Sequence, residues 1–248
     1  MKALGAPLRH FGFNRRWMAF FGLGSIMFGT MTVATLTVMK QDSEWWEPLV
    51  GISFFILNAY LLVRTLVSSA TVCESGLRYK TLRGEGEMLW DEIEKFRYAI
   101  IVTRHHGFIK STQYTMNLVD REGRRAELGS NVEHPDELAA LLLNKLQPLL
   151  LQKTIAAYEA GQILDLGAVK VSREGITISL PLNKKVNIPS ADVAGCSIDH
   201  GMVVISASVG GKAKNYTIFM RIVDNAFALV ELVNRKIVHR AAAASSGR

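Results

Sequence analysis

The chain has 248 residues, 49% of them hydrophobic, a formal net charge of +7 and two cysteines. That length holds one large domain, or two small ones beside a membrane anchor. Cys73 and Cys196 are too few and too far apart for a disulfide framework or a CxxC metal knuckle, and no basic helix or aromatic-basic strand motif points to nucleic acid.

The charge is uneven. Lys2, Arg9, Arg15 and Arg16 occur without an acid in residues 1–16, which read as a basic cytoplasmic N-terminus. Residues 17–39 then run without a charge, long enough for a helix to cross the hydrocarbon core. No small-x-small cleavage site follows before Gln41, so this segment reads as a retained span rather than a signal peptide. A second span covers 48–67, making 17–67 a two-helix anchor. Arg64 lies near its end, where the long stem can snorkel to the headgroups. Gly22, Ser25, Gly29 and Thr32 on the first span face Gly51, Asn58 and Thr65 on the second, where small and weakly polar residues would let two helices approach and Asn58 bond across. Between the spans, Trp45 and Trp46 suit an interfacial aromatic belt in a short acidic connector. By the positive-inside rule the connector faces outward and both termini are cytoplasmic, so the Asn215-Tyr-Thr sequon would never meet the glycosylation machinery.

From residue 70 the apolar period changes to two. Leu77 and Tyr79, then Met88 and Trp90, read as strands around a turn at Gly84–Gly86. Ile93, Phe96, Tyr98 and Ile100 continue in a long strand, residues 104–107 turn, and Tyr114, Met116 and Leu118 return. A turn at Asp120–Gly123 follows. A helix then opens near Pro135 with Asp136 and Glu137 in its first turn. The order repeats: Leu164, Leu166 and Val169, a turn at Ser172–Gly175, Ile176 and Ile178, a turn at Asn183–Lys185, Val186 and Ile188. Val193 then corresponds to Ile93 if one residue is inserted. Val203 with Ile205, and Tyr216 with Ile218 and Met220, supply the last strands. A helix capped by Asp224 closes the unit, with Phe227, Val230, Val233 and Ile237 along its stripe. Pro148 should end or kink the first closing helix, leaving 148–161 as a separate helical connector stopped by Gly161.

Several short antiparallel strands followed by one helix, twice, with Gly76 and Gly175 opening strands and Trp90-Asp-Glu-Ile93 recurring as Ser190-Ala-Asp-Val193, resembles the bacterial pleckstrin-homology-like (PH-like) domains. The layout is also similar to bacterial membrane proteins with two spans followed by such domains. The resemblance covers 70–240 and implies an α+β fold. It has a transmembrane hairpin, then PH-like units at 70–147 and 162–240, each a bent antiparallel sheet or partly open barrel with a C-terminal helix. It implies a bacterial inner membrane location with both units cytoplasmic, and it carries over no catalytic residue. Residues 241–248 read as a disordered tail.

No chemistry stands out from this frame. His105-His106 lacks metal-ligand partners, GGKAK at 210–214 lacks Walker spacing and precedes a strand, and Asp91, Glu92 and Glu94 read as a solvated edge. The expectation is a protein without catalytic activity, cofactor or metal, held in a lipid bilayer and acting as a scaffold for a protein partner not named by the sequence. The alternative is an anionic-lipid sensor. Residues 161–248 carry eleven basic against six acidic side chains, and Arg173, Lys184, Lys185, Lys212 and Lys214 fall in turns. The resemblance suggests headgroup contact there, at about 1 kcal/mol for each basic residue near an anionic surface.

Overall fold

The computed structural model describes residues 3–38, 47–105, 109–181 and 184–238. It is an α+β fold of open antiparallel sheets with two apolar helices near the N-terminus and a helix at the end. Two compact units divide it: residues 1–88 with 128–135, and residues 89–127 with 136–248.

The first unit begins with a strand absent from the sequence reading. β1 (Pro7–Phe11) precedes helix α1 (Arg15–Val38). Helix α2 (Glu47–Val67) then leads into β2 (Ser69–Cys73), β3 (Gly76–Thr81) and β4 (Gly84–Leu89), giving a sheet in the order β1-β2-β3-β4. β1 runs antiparallel to β2, with His10 opposite Thr71 and Phe11 opposite Ala70. Residues 1–16 are therefore more than a basic terminus, because Leu4 and Phe11 are buried while Leu8, Arg9 and His10 stay exposed. The helical hairpin is an insertion between the first two strands of a sheet. Its windows Arg15–Ala34 and Leu49–Val67 are long and apolar enough to cross a membrane, and only 6% of either is buried within the protein, unlike a core helix. The Trp45-Trp46 connector lies outside the described residues.

The second unit takes up β5 (Ile93–His105), β6 (Ile109–Asp120), most of β7 (Arg125–Gly129) and nearly all of α3 (Pro135–Glu159). Next come β8 (Leu164–Leu166), β9 (Val169–Val171), β10 (Gly175–Ser179) and β11 (Lys185–Pro189) as one sheet. A second sheet holds β12 (Val193–Asp199), β13 (Met202–Val209) and β14 (Lys212–Phe219), followed by α4 (Ala226–Leu232). Four strands, three strands and a helix thus occur twice along the chain. The repeat extends to a defect: the pairing register slips just after Ile93 in β5 and just after Val193 in β12. A bulge leaves one residue unpaired and bends the strand. Trp90, Ile93 and Val193 are all buried beside it.

Turn chemistry explains the ends of these elements. The Asp120 carboxylate accepts the backbone N–H groups of Glu122 at 3.0 Å and Arg124 at 2.9 Å, which fixes the β6–β7 turn. The first turn read from the sequence moves slightly, since β4 already begins at Gly84 and the turn is Leu82-Arg83. The Asn183 turn and the 106–107 half of the 104–107 turn lie outside the described residues.

Two helix expectations are corrected. Pro148 does not end α3, which runs unbroken to Glu159, so no separate connector exists at 148–161. Leu138, Leu142, Leu146, Leu150, Thr154 and Tyr158 are buried at four-residue spacing on both sides of the proline. Their burial offsets a proline cost of about 3 kcal/mol. Gly161 does stop the helix, in the left-handed conformation of a Schellman motif (φ 80°) with Gln162 N–H on Ala157 O at 3.0 Å. The second correction is at α4, where the N-cap is Asn225 rather than Asp224.

Gly175, at φ 155°, opens β10 where a Cβ would lie 2.1 Å from the Ile188 carbonyl oxygen, a backbone atom that cannot move aside. Gly175→Ala should therefore destabilise the detergent-solubilised chain by about 3 kcal/mol or more in a denaturant melt. Gly195→Ala, whose Cβ would meet only Asn234 Oδ1 at 3.9 Å, should leave the melt nearly unchanged.

Candidate functional site

At the base of the helical hairpin, polar side chains tie both helices to one loop. Asn14 Oδ1 accepts the N–H of Arg16 at 3.1 Å, capping α1. Asn14 Nδ2 donates to Ser130 O at 3.0 Å and Asn14 N–H to Asn131 O at 3.0 Å. Asn131 Nδ2 in turn donates to Ser68 Oγ, one residue past α2. Between β1 and α1 lie three residues, and between α2 and β2 one, so neither helix is linked to the sheet by a flexible tether.

Along the hairpin, a Cβ on Gly51 would meet Thr32 Oγ1 at 2.6 Å and one on Gly29 would meet Phe55 at 3.3 Å. Phe28 and Phe54 stack at 5.1 Å. Gly24, not Gly22, lies against Asn58, whose Oδ1 would be 2.7 Å from its Cβ; Gly22 has nothing within 4 Å. Ser25, Thr32, Asn58 and Thr65 donate back to carbonyls four residues earlier, those of Phe21, Phe28, Phe54 and Leu61. The expected bond of Asn58 across to α1 gives way to this local bond, because an i−4 carbonyl is always within reach of a helical amide.

In the second unit, two asparagines of the C-terminal segment each hold the backbone of a strand by both amide atoms. Asn225, at φ 53°, accepts the Phe96 N–H at 2.8 Å and donates to Glu94 O at 2.8 Å. Asn234 accepts the Cys196 N–H at 3.0 Å and donates to Cys196 O at 2.8 Å. Phe96 and Cys196 stand three residues beyond Ile93 and Val193, so the two clamps grip equivalent points of the repeat. Asn234 projects from a π-helical stretch, Val233–Val238. Asp224 is buried and accepts from Arg97 Nε at 2.5 Å, with Lys95 Nζ at 3.6 Å. This engagement is why Asp224 does not cap α4. The sequence reading missed both clamps, since an isolated Asn in a helical stripe gives no periodic signal.

The basic residues proposed for lipid contact are not gathered into one pocket. Arg173 donates to the Glu159 carbonyl and so caps the end of α3, in a cleft of about 290 Å³ shared with Tyr158, Arg235 and Lys236. In that cleft Lys236 is paired with Glu159 at 2.5 Å and Arg235 with Glu231 at 2.7 Å. Lys184 and Lys185 are exposed at the end of the β10–β11 hairpin, where Ser179 N–H bonds to Ala168 O. Lys212 and Lys214 are exposed at the tip of the β13–β14 hairpin, whose other end reaches Ala168 through Ile222 O. The length of that hairpin separates the two lysine pairs.

β14 is the outer strand of its sheet. Tyr216 and Ile218 point into the core, while Ala213, Asn215, Thr217 and Phe219 are exposed. Phe219 is 56% exposed, with the Arg221 guanidinium 5.2 Å from its ring centroid. Among the described residues no strand pairs with the outer edge of β14, which the two lysines partly guard.

Among the described residues no three His, Cys, Asp or Glu side chains gather as a metal site; His106 lies outside them. Asp91, Glu92 and Glu94 do not converge. Glu92 accepts the Leu89 N–H at 3.3 Å, Glu94 faces Arg121 at 3.8 Å, and Asp91 is exposed. Burial pushes the Cys196 thiol up to about 12. Native Cys196 should thus resist alkylation at pH 8 and react once the chain is unfolded. Because the folded value lies above the unfolded one, its contribution is complete below about pH 9 and is lost as the pH rises toward 12. Cys196→Ala should flatten the alkaline limb of the stability profile.

No curated protein matches the chain. A family model covering residues 1–242 does, and by that match the chain belongs to the family described as a family of unknown function, DUF6585.

Proposed function

We propose that the chain is a non-enzymatic integral membrane protein whose helical hairpin anchors two PH-like repeats at the cytoplasmic face of a bacterial inner membrane. The repeats serve as a scaffold that docks an extended segment of a protein partner. The PH-like reading is supported by the double succession of four strands, three strands and a helix. The anchor is supported by two long apolar helices whose ends are paired through β1 and β2, which puts both ends on one side.

The observation that carries docking is the outer edge of β14, eight residues long and without a neighbouring strand among the described residues. An added strand gains main-chain hydrogen bonds there, and alternate side chains meet Thr217 and Phe219. The test is photo-crosslinking from position 215, exposed on the same strand, of the full chain in its own membranes. A protein adduct lost in Thr217→Lys/Phe219→Lys, with an unchanged melt, supports the reading. No adduct, or one indifferent to those substitutions, removes it.

The alternative, an anionic-lipid sensor acting through the second repeat, rests on the exposure of Lys184, Lys185, Lys212 and Lys214. Their separation along β13–β14 favours two weak contacts over one headgroup pocket.

A further inference from the structure

Three arginines at the base of the hairpin make no ion pair or side-chain hydrogen bond among the described residues. Arg15 and Arg16 stand in the first turn of α1 and Arg64 in the last turn of α2. All three are exposed, and none has an acidic partner among the described residues. The contacts of Gly24 with Asn58, Gly29 with Phe55 and Gly51 with Thr32 fix an antiparallel register. That register sets Arg64 about one turn, roughly 5 Å, deeper than Arg16.

Helix stability does not explain the pair on α1. Cations at a helix N-terminus oppose the macrodipole, and the free N–H groups there are already served by Asn14. Something outside the helix must favour positive charge at this level. Trp17 lies in the same turn, its ring stacked on Phe21 at 5.3 Å, as an aromatic does at the boundary between headgroups and acyl chains. Beyond that turn both helices present apolar side chains outward.

We infer that Arg15, Arg16 and Arg64 form a collar that binds the phosphates of anionic phospholipids. This site is distinct from the lysine turns of the second repeat and rests on the membrane-spanning reading above. The guanidinium fork suits phosphate oxygens, and its long stem covers apolar surface on the way to them. Because the Asn14–Asn131–Ser68 bonds join the collar to the loop beside the first sheet without a flexible linker, headgroup binding also fixes how that sheet faces the bilayer.

The test uses the full chain in neutral detergent micelles, with phosphatidylglycerol and phosphatidylcholine offered together and retained lipids counted by native mass spectrometry. Wild type should retain phosphatidylglycerol preferentially, by about fivefold for each arginine engaged, and lose the preference as salt is raised. R15Q/R16Q/R64Q should abolish it, while R15K/R16K/R64K, which keeps the charge, should restore most of it. K184Q/K185Q/K212Q/K214Q should bind like wild type. Absence of any preference in wild type, its survival in the glutamine triple, or its loss in the lysine-turn variant overturns the proposal. Carbonate extraction of membranes tests the underlying reading separately. A chain released to the supernatant was never spanning, whereas a retained chain without lipid preference refutes only the collar.

Discussion

Phe11→Ala is expected to lower stability by about 3–5 kcal/mol, the cost of truncating a buried aromatic ring. Phe11 is 2% exposed and stands opposite Ala70 in the β1–β2 pair. Its loss opens a cavity where the N-terminal segment joins the sheet. Leu8→Ala, three residues earlier on the same strand but 51% exposed, should change stability by no more than about 0.5 kcal/mol. Phe11→Leu, closer in volume, should cost less than alanine. Thermal melts of the full chain in detergent, with proteolysis of the first unit as a local readout, separate the three. A Phe11→Ala chain that melts like Leu8→Ala would return residues 1–16 to a loose basic terminus. The expected result makes them the first strand of a sheet that cannot be completed until both apolar helices and β2 have been synthesised.

β1 was illegible in the sequence for a physical reason. Pro7–Phe11 buries only its last side chain, so it shows no alternation. Its partner is also separated from it by the whole helical hairpin. Strands with one wet and one dry face, such as β3 with Leu77 and Tyr79 inward or β13 with Val203, Ile205 and Ala207 inward, announced themselves. So did the apolar helices, because length and hydropathy are properties of a single segment. The correspondence of Ile93 with Val193 could be read because an aliphatic anchor follows a turn in both copies, whereas the register slip just after each depends on strand pairing and left no mark in the sequence. Pro148 misled because helix propensity is local while the stripe from Leu138 to Tyr158 is not. The sheet edge and the asparagine clamps were out of reach, since both depend on which strands lie next to one another.

Asn225→Ala tests that last class of contact and should cost about 3 kcal/mol. Removing the amide strands the buried Phe96 N–H without an acceptor, a penalty of about 1–3 kcal/mol. Alanine in the left-handed conformation, φ 53° here, adds about 1 kcal/mol. Asn225→Gly relieves the second cost and not the first, so it should fall between alanine and wild type. Asn234→Ala leaves Cys196 N–H in the same predicament without any backbone strain, and should match the glycine variant. The two clamps share no partner, so Asn225→Ala/Asn234→Ala should be near the sum of the singles. A double variant clearly less destabilised than that sum would mean that losing one clamp already releases the C-terminal segment from both strands. Amide exchange at Phe96 and Cys196 distinguishes these cases. Independent clamps expose only the amide whose partner was removed. A single cooperative latch exposes both, and the strand edges at β5 and β12 would then open together whenever the C-terminal segment leaves.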